Sequence, residues 1–358
     1  MEKLWEPVSV GDYALRNRLA MAPMTRSRAT PDGVPTPLNA TYYAQRAAFG
    51  LIITEGTQPS ELGQGYMLTP GIYTDAQIEG WSLVTDAVHH AGGRIFIQLM
   101  HGGRIAHPAN TPRGLQPVAP SDVRPAGKMS TPQGLLDMPV PIEMDEQGVA
   151  QAIREFRHAA RCAINAGADG VELHAANGYL IHQFLSENAN RRTDRYGGSI
   201  GNRVRFAVEA TAAVAEEIGA ARTGIHISPG NPFNDIVEGD TVELYRTLVA
   251  DLAKLNIAYL HVVHAGDESL LGSIRDAWPT ALLVNRAGRP RDDIAADINS
   301  GLADMASVAR FALANPDLVE RLKRAALLNE PDPSTFYGGD ARGYTDYPTL
   351  DSQTADAR

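Results

Sequence analysis

The stretch GADGVELHAANGYLIHQFLSENANRRTDRYGG, which runs from Gly167 to Gly198, is the most informative part of this chain about its fold. An apolar run from Gly170 to Leu173 is followed by His174, Asn177 and Tyr179. The pattern predicts a buried strand that presents polar side chains at its carboxyl end, where parallel α/β folds place their active sites. An imidazole, a carboxamide and a phenol together suit a site that binds a carbonyl or nitro oxygen and delivers a proton nearby.

An apolar run followed by an amphipathic segment recurs along the chain. The eight runs are Arg18 to Met24, Leu51 to Gly56, Arg94 to Met100, Gly170 to His174, Thr223 to Ser228, Ala258 to Val263, Ala281 to Asn285 and Met305 to Phe311. Helices are expected to begin at Thr36-Pro37, Asp75, Asp145, Asp240 or Thr241, and Asn315-Pro316. Continuous hydrophobicity is typical of parallel strands, so these units predict an α/β fold of the (β/α)8 TIM barrel type. A doubly wound sheet is the alternative, although no GxGxxG motif opens the first helix.

Two segments depart from a plain barrel. The N-terminal sequence LWEPVSVGDYALRNRL predicts a β-hairpin that closes the barrel floor. The span from Gly102 to Ile142 is rich in Pro and Gly and follows the third strand, so we expect a lid insertion (residues 102–142) over the site. A surface excursion is the alternative. We expect residues 1–358 to form a single domain, with a C-terminal extension (residues 330–358) that returns to the barrel.

Composition narrows the function classes. The formal net charge of −10 and the pI near 5.5 argue against a nucleic-acid partner. The single cysteine, Cys162, excludes an intrachain disulfide and a cysteine-ligated iron–sulfur cluster, and no metal site is predicted. No apolar run is long enough to span a bilayer, and the N-terminus lacks the apolar core of a signal peptide, so we expect a cytoplasmic protein without a membrane partner.

Several long motifs together resemble those of the Old Yellow Enzyme family of FMN-containing, NAD(P)H-dependent ene-reductases. They are APMTRSRA at Ala22 to Ala29, YYAQRAAFGLIITEGTQPS at Tyr42 to Ser60, IQLMHGGR at Ile97 to Arg104, HAANGYLIHQFLSENANRRTDRYGGSIGNR at His174 to Arg203, ANPDLVERL at Ala314 to Leu322 and FYGGDARGYTDYP at Phe336 to Pro348. The chain is most similar to the bacterial N-ethylmaleimide, pentaerythritol tetranitrate and morphinone reductase group. The resemblance covers about residues 4 to 350.

The resemblance implies a bound FMN. The residues that it assigns to the cofactor are Ala22, Pro23, Met24 and Thr25 along the ring, Gly56, Gln98 and His226 at its pyrimidine edge, and Gly288, Arg289, Ala309 and Arg310 at the phosphate. His226 stands where the family usually has an arginine, which predicts weaker or pH-dependent stabilisation of negative charge. Ala309 replaces a usual glycine and would weaken phosphate binding if its φ were unfavourable.

The resemblance also implies a substrate site. His174 and Asn177 would donate hydrogen bonds to the oxygen of the activating group, and one helical turn would align them. Tyr179 would donate a proton to the α-carbon, whereas His182 is interpreted as structural. Further predicted substrate contacts are Tyr66, Met100 and Tyr337, with Met100 standing where many relatives have tryptophan, which predicts a roomier cavity.

These residues predict an enzyme in which NADPH or NADH reduces FMN and leaves, and an α,β-unsaturated carbonyl, imide or nitro compound then takes its place. The partners are therefore small electrophilic alkenes, and the chain is expected to be a monomer or a homodimer. A non-catalytic flavin-binding protein and a nitrate-ester or nitroaromatic reductase stay as alternatives. A flavin-free lyase or aldolase would need a lysine or metal-binding carboxylates at strand ends, and this sequence places neither there. A dihydrouridine-synthase-like enzyme would be expected to carry a basic face for RNA, whereas this chain is acidic.

Overall fold

In the computed structural model, which describes residues 1–264 and 266–352, parallel strands close into a barrel. The strands are β1 Val8–Val10, β2 Tyr13–Leu15, β3 Leu19–Met21, β4 Leu51–Ile53, β5 Ile95–Leu99, β6 Val118–Ala119, β7 Lys128–Thr131, β8 Gly134–Asp137, β9 Ile142–Glu143, β10 Gly170–Ala175, β11 Thr223–Ile227, β12 Tyr259–Val263, β13 Ala281–Asn285 and β14 Met305–Val308. Strands β3, β4, β5 and β10 to β14 form the barrel, with β14 pairing with β3. The predicted (β/α)8 barrel is confirmed, and the doubly wound alternative is wrong.

Helices cover the outside of the barrel. They are α1 Pro37–Ala44, α2 Asp75–His90, α3 Glu146–Asn165, α4 Leu180–Leu185, α5 Ile200–Arg203, α6 Arg205–Ile218, α7 Thr241–Ala253, α8 Glu268–Ala277, α9 Ala296–Ser300, α10 Arg310–Ala314 and α11 Leu318–Lys323. Asp145 caps α3 through a hydrogen bond from the Gly148 amide, as its sequence position predicts. Within residues 1–264 and 266–352, no helix is both long and apolar enough to cross a membrane.

Several expected boundaries are wrong. Strands β3 and β4 end three residues before the ends of the runs Arg18 to Met24 and Leu51 to Gly56. The run Met305 to Phe311 is not all strand, because β14 ends at Val308 and α10 begins at Arg310. The helix expected to begin at Asn315-Pro316 begins only at Leu318. After β14, apolar residues continue beyond the end of the strand, so hydrophobicity alone does not mark the boundary. Before α11, Asn315, Pro316 and Asp317 form the turn that precedes the helix.

The lower half of the barrel interior is apolar. Its buried side chains are Ala20, Leu51, Ile53, Phe96, Tyr259, Leu283 and Met305, and the β1–β2 hairpin packs Val10 and Leu15 against them. Gly224 leaves room for the ring of Tyr259, because a Cβ at Gly224 would lie only 2.3 Å from that ring. The hairpin therefore covers the amino-terminal end of the barrel, as predicted.

The upper half of the interior is polar. Alternation along each strand turns Gln98, Glu172, His174, His226, His261 and Ser307 into the barrel near the carboxyl ends, and all six are buried. Polar groups at this depth need partners, because an unpaired buried polar group costs about 1–3 kcal/mol. This layer is the base of the candidate site.

The segment between β5 and α3 contains a β7–β8 hairpin and a short β6–β9 pair. Its buried residues Ile105, Met129 and Met138 form one apolar cluster with Met100 and Tyr179. The segment thus packs beside the carboxyl end of β10. Its action as a lid stays a prediction.

The C-terminal segment folds back over the barrel because two buried arginines hold it. Arg26 donates to the carbonyl oxygens of Phe336 and Gly343, and Arg28 donates to those of Thr335 and Asp340. These contacts bring Tyr337 to the mouth of the barrel. Of the predicted extension, residues 353–358 lie outside the described residues.

Candidate active site

The carboxylate of Glu172 organises the polar layer. Its Oε1 accepts a hydrogen bond from Gln98 Nε2 at 2.7 Å, and its Oε2 lies 3.0 Å from His261 Nδ1. His261 Nε2 in turn lies 2.7 Å from Ser307 Oγ. Both oxygens of this fully buried carboxylate are therefore satisfied, and in return they fix the positions of Gln98 and His261.

Three histidine rings stack across neighbouring strands. His174, His226 and His261 are in register on β10, β11 and β12, with ring centroids 5.1 Å and then 4.1 Å apart. Burial, reinforced by the neighbouring imidazoles, lowers the pKa of His174 to about 3 and that of His226 well below its usual value. Both rings are therefore neutral near pH 7.

Glu172, His226 and His261 also bring possible metal-ligand atoms within 4.8 Å of one another. The rings of His226 and His261 are inclined by only 16°, however, so the lone pairs of their nitrogens run side by side rather than converging on one point. We interpret this group as a hydrogen-bond network.

Hydrogen bonds within the layer set which nitrogen of each ring carries the proton. The amide of Gln98 contacts His226 Nδ1 at 3.3 Å, and the Ala176 amide donates to His174 Nδ1 at 3.3 Å. Since both Nδ1 atoms accept, each neutral ring carries its proton on Nε2. His226 Nε2 is buried without a partner in the described part of the chain. A donor is thus left available where the resemblance places the pyrimidine edge of FMN.

Asn177 lies in a turn, not in a helix. Strand β10 ends at Ala175, α4 begins at Leu180, and φ is +55° at Asn177 and +78° at Gly178. The expectation that one helical turn aligns His174 with Asn177 is therefore wrong. A strand end and a left-handed turn position the two side chains instead.

Contacts from the loop after β11 hold this turn. Ser228 Oγ accepts from the Asn177 amide at 2.9 Å, and Asn234 Nδ2 donates to the Asn177 carbonyl at 2.8 Å. Asn231 Nδ2 donates to Asn177 Oδ1 at 2.9 Å. The side-chain oxygen of Asn177 is therefore occupied, which leaves its NH2 group as the free end.

The hydroxyl of Tyr179 lies 3.0 Å from that of Tyr66, and the two rings meet edge to face. Burial raises the pKa of both phenols, that of Tyr179 well above 10, and the Asn234 amide lowers both pKa values by a smaller amount. Both hydroxyls are therefore protonated at neutral pH. Either oxygen can be the donor to the other.

A cavity of about 570 Å³ lies over this pair. Its lining includes four predicted residues, which are Thr25, Tyr66, Tyr179 and Tyr337. Met100 is not among the lining residues: it is buried and packs against Gly56, where a Cβ would lie 2.5 Å from the Met100 sulfur. A roomier cavity caused by Met100 stays a prediction.

A second cavity, of about 540 Å³, lies beyond the ends of β13 and β14 and includes Gly288, Arg289, Ala309 and Arg310. Arg289 donates to Asp297 at 2.9 Å, whereas the exposed guanidinium of Arg310 has no ion-pair partner in the described residues. Ala309 has a φ of −102°, which alanine adopts without strain, so the expected weakening of phosphate binding has no conformational cause.

A third cavity, of about 420 Å³, lies next to the other two, because it shares the lining residues Ala309 and Arg310 with the second cavity and Thr25 and Tyr337 with the first. Met24 also lines it, and Ala22 and Pro23 lead from β3 towards it. Arg310 gives this row of cavities a cationic end, and the buried His226 Nε2, which lines none of them, is a separate unpaired donor in the polar layer of the barrel. The residues present therefore fit a phosphate-bearing planar cofactor.

Four residues of the site were not anticipated from sequence: Glu172, His261, Asn231 and Asn234. Strand alternation could have revealed Glu172, because it lies two positions before His174 and so faces the same side. The two asparagines lie in the loop stretch NPFND, where no period marks a side chain as functional.

Comparisons with known proteins agree with this geometry. The NADH:flavin oxidoreductase / NADH oxidase family matches residues 3–329. The chain is 42% identical to a probable flavin mononucleotide-dependent alkene reductase of Leishmania infantum over 98% of both chains, and 40% identical to 12-oxophytodienoate reductase 1 of Oryza sativa subsp. japonica over 99% of this chain and 95% of that one.

Solved structures give the same result. The structure of morphinone reductase in complex with tetrahydroNAD matches with a TM-score of 0.94 and 42% identity over 98% of both chains. An old yellow enzyme homologue from Zymomonas mobilis matches with a TM-score of 0.94 and 38% identity over 97% of this chain and 100% of that one. The chain therefore belongs to the NADH:flavin oxidoreductase / NADH oxidase family, as an FMN-dependent, NAD(P)H-dependent oxidoreductase of the Old Yellow Enzyme group.

Proposed function

We propose that this enzyme reduces the activated C=C bond of α,β-unsaturated carbonyl, imide or nitro compounds in a ping-pong reaction with NADH or NADPH. The observation that carries the proposal is the fixed polarity of the substrate-side groups. His174 presents an Nε2–H, Asn177 presents its NH2 group, and the Tyr179 hydroxyl is protonated. Such a set favours a substrate whose activating group is a hydrogen-bond acceptor.

FMN would be held along these adjacent cavities. Arg310 would pair with its phosphate beside Gly288, Thr25 would lie against its ring, and Gln98 and His226 would meet its pyrimidine edge. When bound, FMN supplies the hydride chemistry of both half-reactions. His226, as a neutral donor, would stabilise negative charge at that edge less than an arginine would.

His174 and Asn177 would hold the substrate oxygen and stabilise the negative charge that develops on it, because both donors are already oriented before the substrate arrives. Tyr179 would then deliver its proton to the α-carbon. Tyr66 would support this step by donating a hydrogen bond to the Tyr179 oxygen as it becomes a phenolate.

The names of the relatives support the proposed reduction of an unsaturated substrate by a nicotinamide. One is described as an alkene reductase and others as 12-oxophytodienoate reductases, and morphinone reductase was solved with tetrahydroNAD. These descriptions agree with a small unsaturated substrate and a nicotinamide that enters the site. They favour NADH as one reductant to test.

The test is anaerobic titration of the purified yellow protein with NADH and with NADPH, followed by addition of 2-cyclohexenone. We expect bleaching of the flavin absorbance by at least one nicotinamide and its recovery on addition of the enone, with cyclohexanone as product. Bleaching without recovery would leave the alternative of a flavin-binding protein that does not reduce alkenes. A protein that stays colourless after incubation with FMN would overturn the proposal.

A further inference from the structure

The loop between β11 and α7 (residues 228–240, the β11–α7 loop) contains the sequence SPGNPFND, to which the proposed reaction gives no role. Its Asn231 is the residue that contacts the side-chain oxygen of Asn177, with Nδ2 and Oδ1 2.9 Å apart. Whether Asn177 offers a donor or an acceptor to a substrate depends on which end of its carboxamide this contact occupies.

The orientation of both carboxamides follows from one backbone group. The Phe233 amide donates to Asn231 Oδ1 at 3.0 Å, and a backbone N–H can only donate. Asn231 must therefore turn its Nδ2 towards Asn177, and Asn177 must turn its Oδ1 towards Asn231. The NH2 group of Asn177, which makes no hydrogen bond to a described residue, is left to bind a ligand.

The β11–α7 loop is held firmly enough to impose this orientation. Asn188 Nδ2 donates to the Asp235 carbonyl at 2.7 Å and Asn188 Oδ1 accepts from the Val237 amide. At the loop's far end, Glu238 accepts from the Gly230 amide at 2.8 Å and lies 2.6 Å from His182 Nε2. The loop also keeps left-handed conformations at Asn234 and Asp235, with φ near +60°, which such contacts must stabilise.

We infer that Asn231 is a positioning residue that fixes Asn177 as a hydrogen-bond donor and so restricts the site to substrates whose activating group is an acceptor. The inference rests on the proposed role of Asn177 in holding the substrate oxygen. It identifies carbonyl, imide and nitro groups as suitable, and it disfavours compounds that present only N–H donors at this position.

Two substitutions separate this role from a purely structural one. Asn231→Asp keeps an oxygen for the Phe233 amide but has no N–H, so the Asn177 amide would turn its NH2 group towards the carboxylate and present its oxygen to the substrate. Asn231→Ala removes both groups and leaves Asn177 free to adopt either orientation. We expect kcat/KM for 2-cyclohexenone to fall about tenfold in Asn231→Asp and only a few-fold in Asn231→Ala.

A structural role predicts the opposite order, because Asp preserves the turn at Phe233 and Ala does not. Both variants are also made in an Asn177→Ala background, where Asn231 has no carboxamide left to orient. We expect no further loss there beyond about twofold. Melting temperature and the FMN content of each variant establish that it is folded.

A larger loss in Asn231→Ala than in Asn231→Asp overturns the inference, as does an added loss from either variant on Asn177→Ala, which would indicate a charge or folding effect. If Asn231→Asp does not fold, Asn231→Ala alone decides, since its loss must disappear in the Asn177→Ala background. If Asn177→Ala by itself leaves kcat/KM unchanged, the donor role in the proposed function is overturned and this inference falls with it.

Discussion

The hydroxyl oxygens of Tyr66 and Tyr179 lie 3.0 Å apart although the residues are 113 positions apart in the chain. Tyr66 comes from the loop after β4 and Tyr179 from the turn after β10, so only barrel closure brings them together. Because both phenols are protonated, Tyr66 can donate a hydrogen bond to the Tyr179 oxygen and so stabilise the phenolate that would form if Tyr179 gave up its proton. The pair is therefore the place at which the proposed proton delivery is tested.

Replacing Tyr179 by Phe is expected to slow flavin reoxidation by 2-cyclohexenone on the order of 10²-fold, because the α-carbon loses its proton donor. Tyr66→Phe removes only a supporting hydrogen bond, so a loss of about five- to tenfold is expected. Rapid-mixing absorbance of the pre-reduced enzyme measures both. Equal rates in Tyr179→Phe and the wild type would show that the proton comes from elsewhere.

His226→Arg is expected to raise the reduction potential of bound FMN by about 30 mV, which corresponds to about 1.4 kcal/mol for a two-electron couple. The reason is that a permanent cation would replace a neutral donor at the pyrimidine edge. His226→Gln, which keeps a neutral N–H, is the matched control and should change the potential less. Dye-coupled redox titration measures all three proteins.

The same titrations test the charge of His226. Because burial holds its pKa well below 6.5, the ring is neutral throughout pH 6 to 8, and it should add no inflection to the potential in that range. A potential without this inflection would indicate that His226 stabilises negative charge on the flavin more weakly than an arginine does, and not in a pH-dependent way. An inflection in the wild type that disappears in His226→Gln would contradict the neutral assignment.

Arg310→Ala is expected to weaken FMN binding by about 10- to 100-fold, since a charge-assisted hydrogen bond contributes about 1.5–3 kcal/mol. Arg289→Ala should cost less, because that guanidinium already pairs with Asp297. Fluorescence titration of the FMN-stripped proteins gives the dissociation constants. A greater loss in Arg289→Ala than in Arg310→Ala would reverse the assignment of the phosphate ligand.

Stability should fall in acid because buried histidines stay neutral in the folded protein. Burial lowers the pKa of His101 and His174 from 6.5 to about 4 and about 3. Below pH 6.5 the unfolded chain binds protons that the folded chain does not, so the free energy of unfolding decreases as the pH falls from 6.5 towards 4. The slope is up to about 1.4 kcal/mol per pH unit for each histidine.

Urea unfolding at pH 7 and pH 5 measures this decrease. His101→Asn is the useful variant, because an asparagine oxygen can still accept from the Gly103 amide that contacts His101 Nδ1. Its stability should depend less steeply on pH than that of the wild type. An unchanged slope would mean that His101 is not among the groups that take up protons on unfolding.

Local sequence was enough for the barrel and for the polar residues that follow β10, whereas the cofactor residues depended on the resemblance to the Old Yellow Enzyme family. The elements of the barrel are predicted by patterns that span only a few neighbouring positions. These patterns are apolar runs of strand length, helix caps such as Thr36 and Asp145, and polar residues after strand ends. In the Gly167 to Gly198 stretch, the apolar run and the polar residues that follow it predict His174, Asn177 and Tyr179 at one carboxyl end.

What the tertiary structure decided is the polarity and the charge state of those residues. That Asn177 offers its NH2 group and that the Nδ1 of His226 is an acceptor depend on Asn231 and Gln98, which lie on other strands or loops. The amide that occupies the Nδ1 of His174 belongs to the nearby Ala176. Hydrogen bonds and desolvation act through space rather than along the chain. The sequence by itself therefore determined which groups are present, and closure of the barrel decided that the two histidines are neutral and that Asn177 presents its NH2 group.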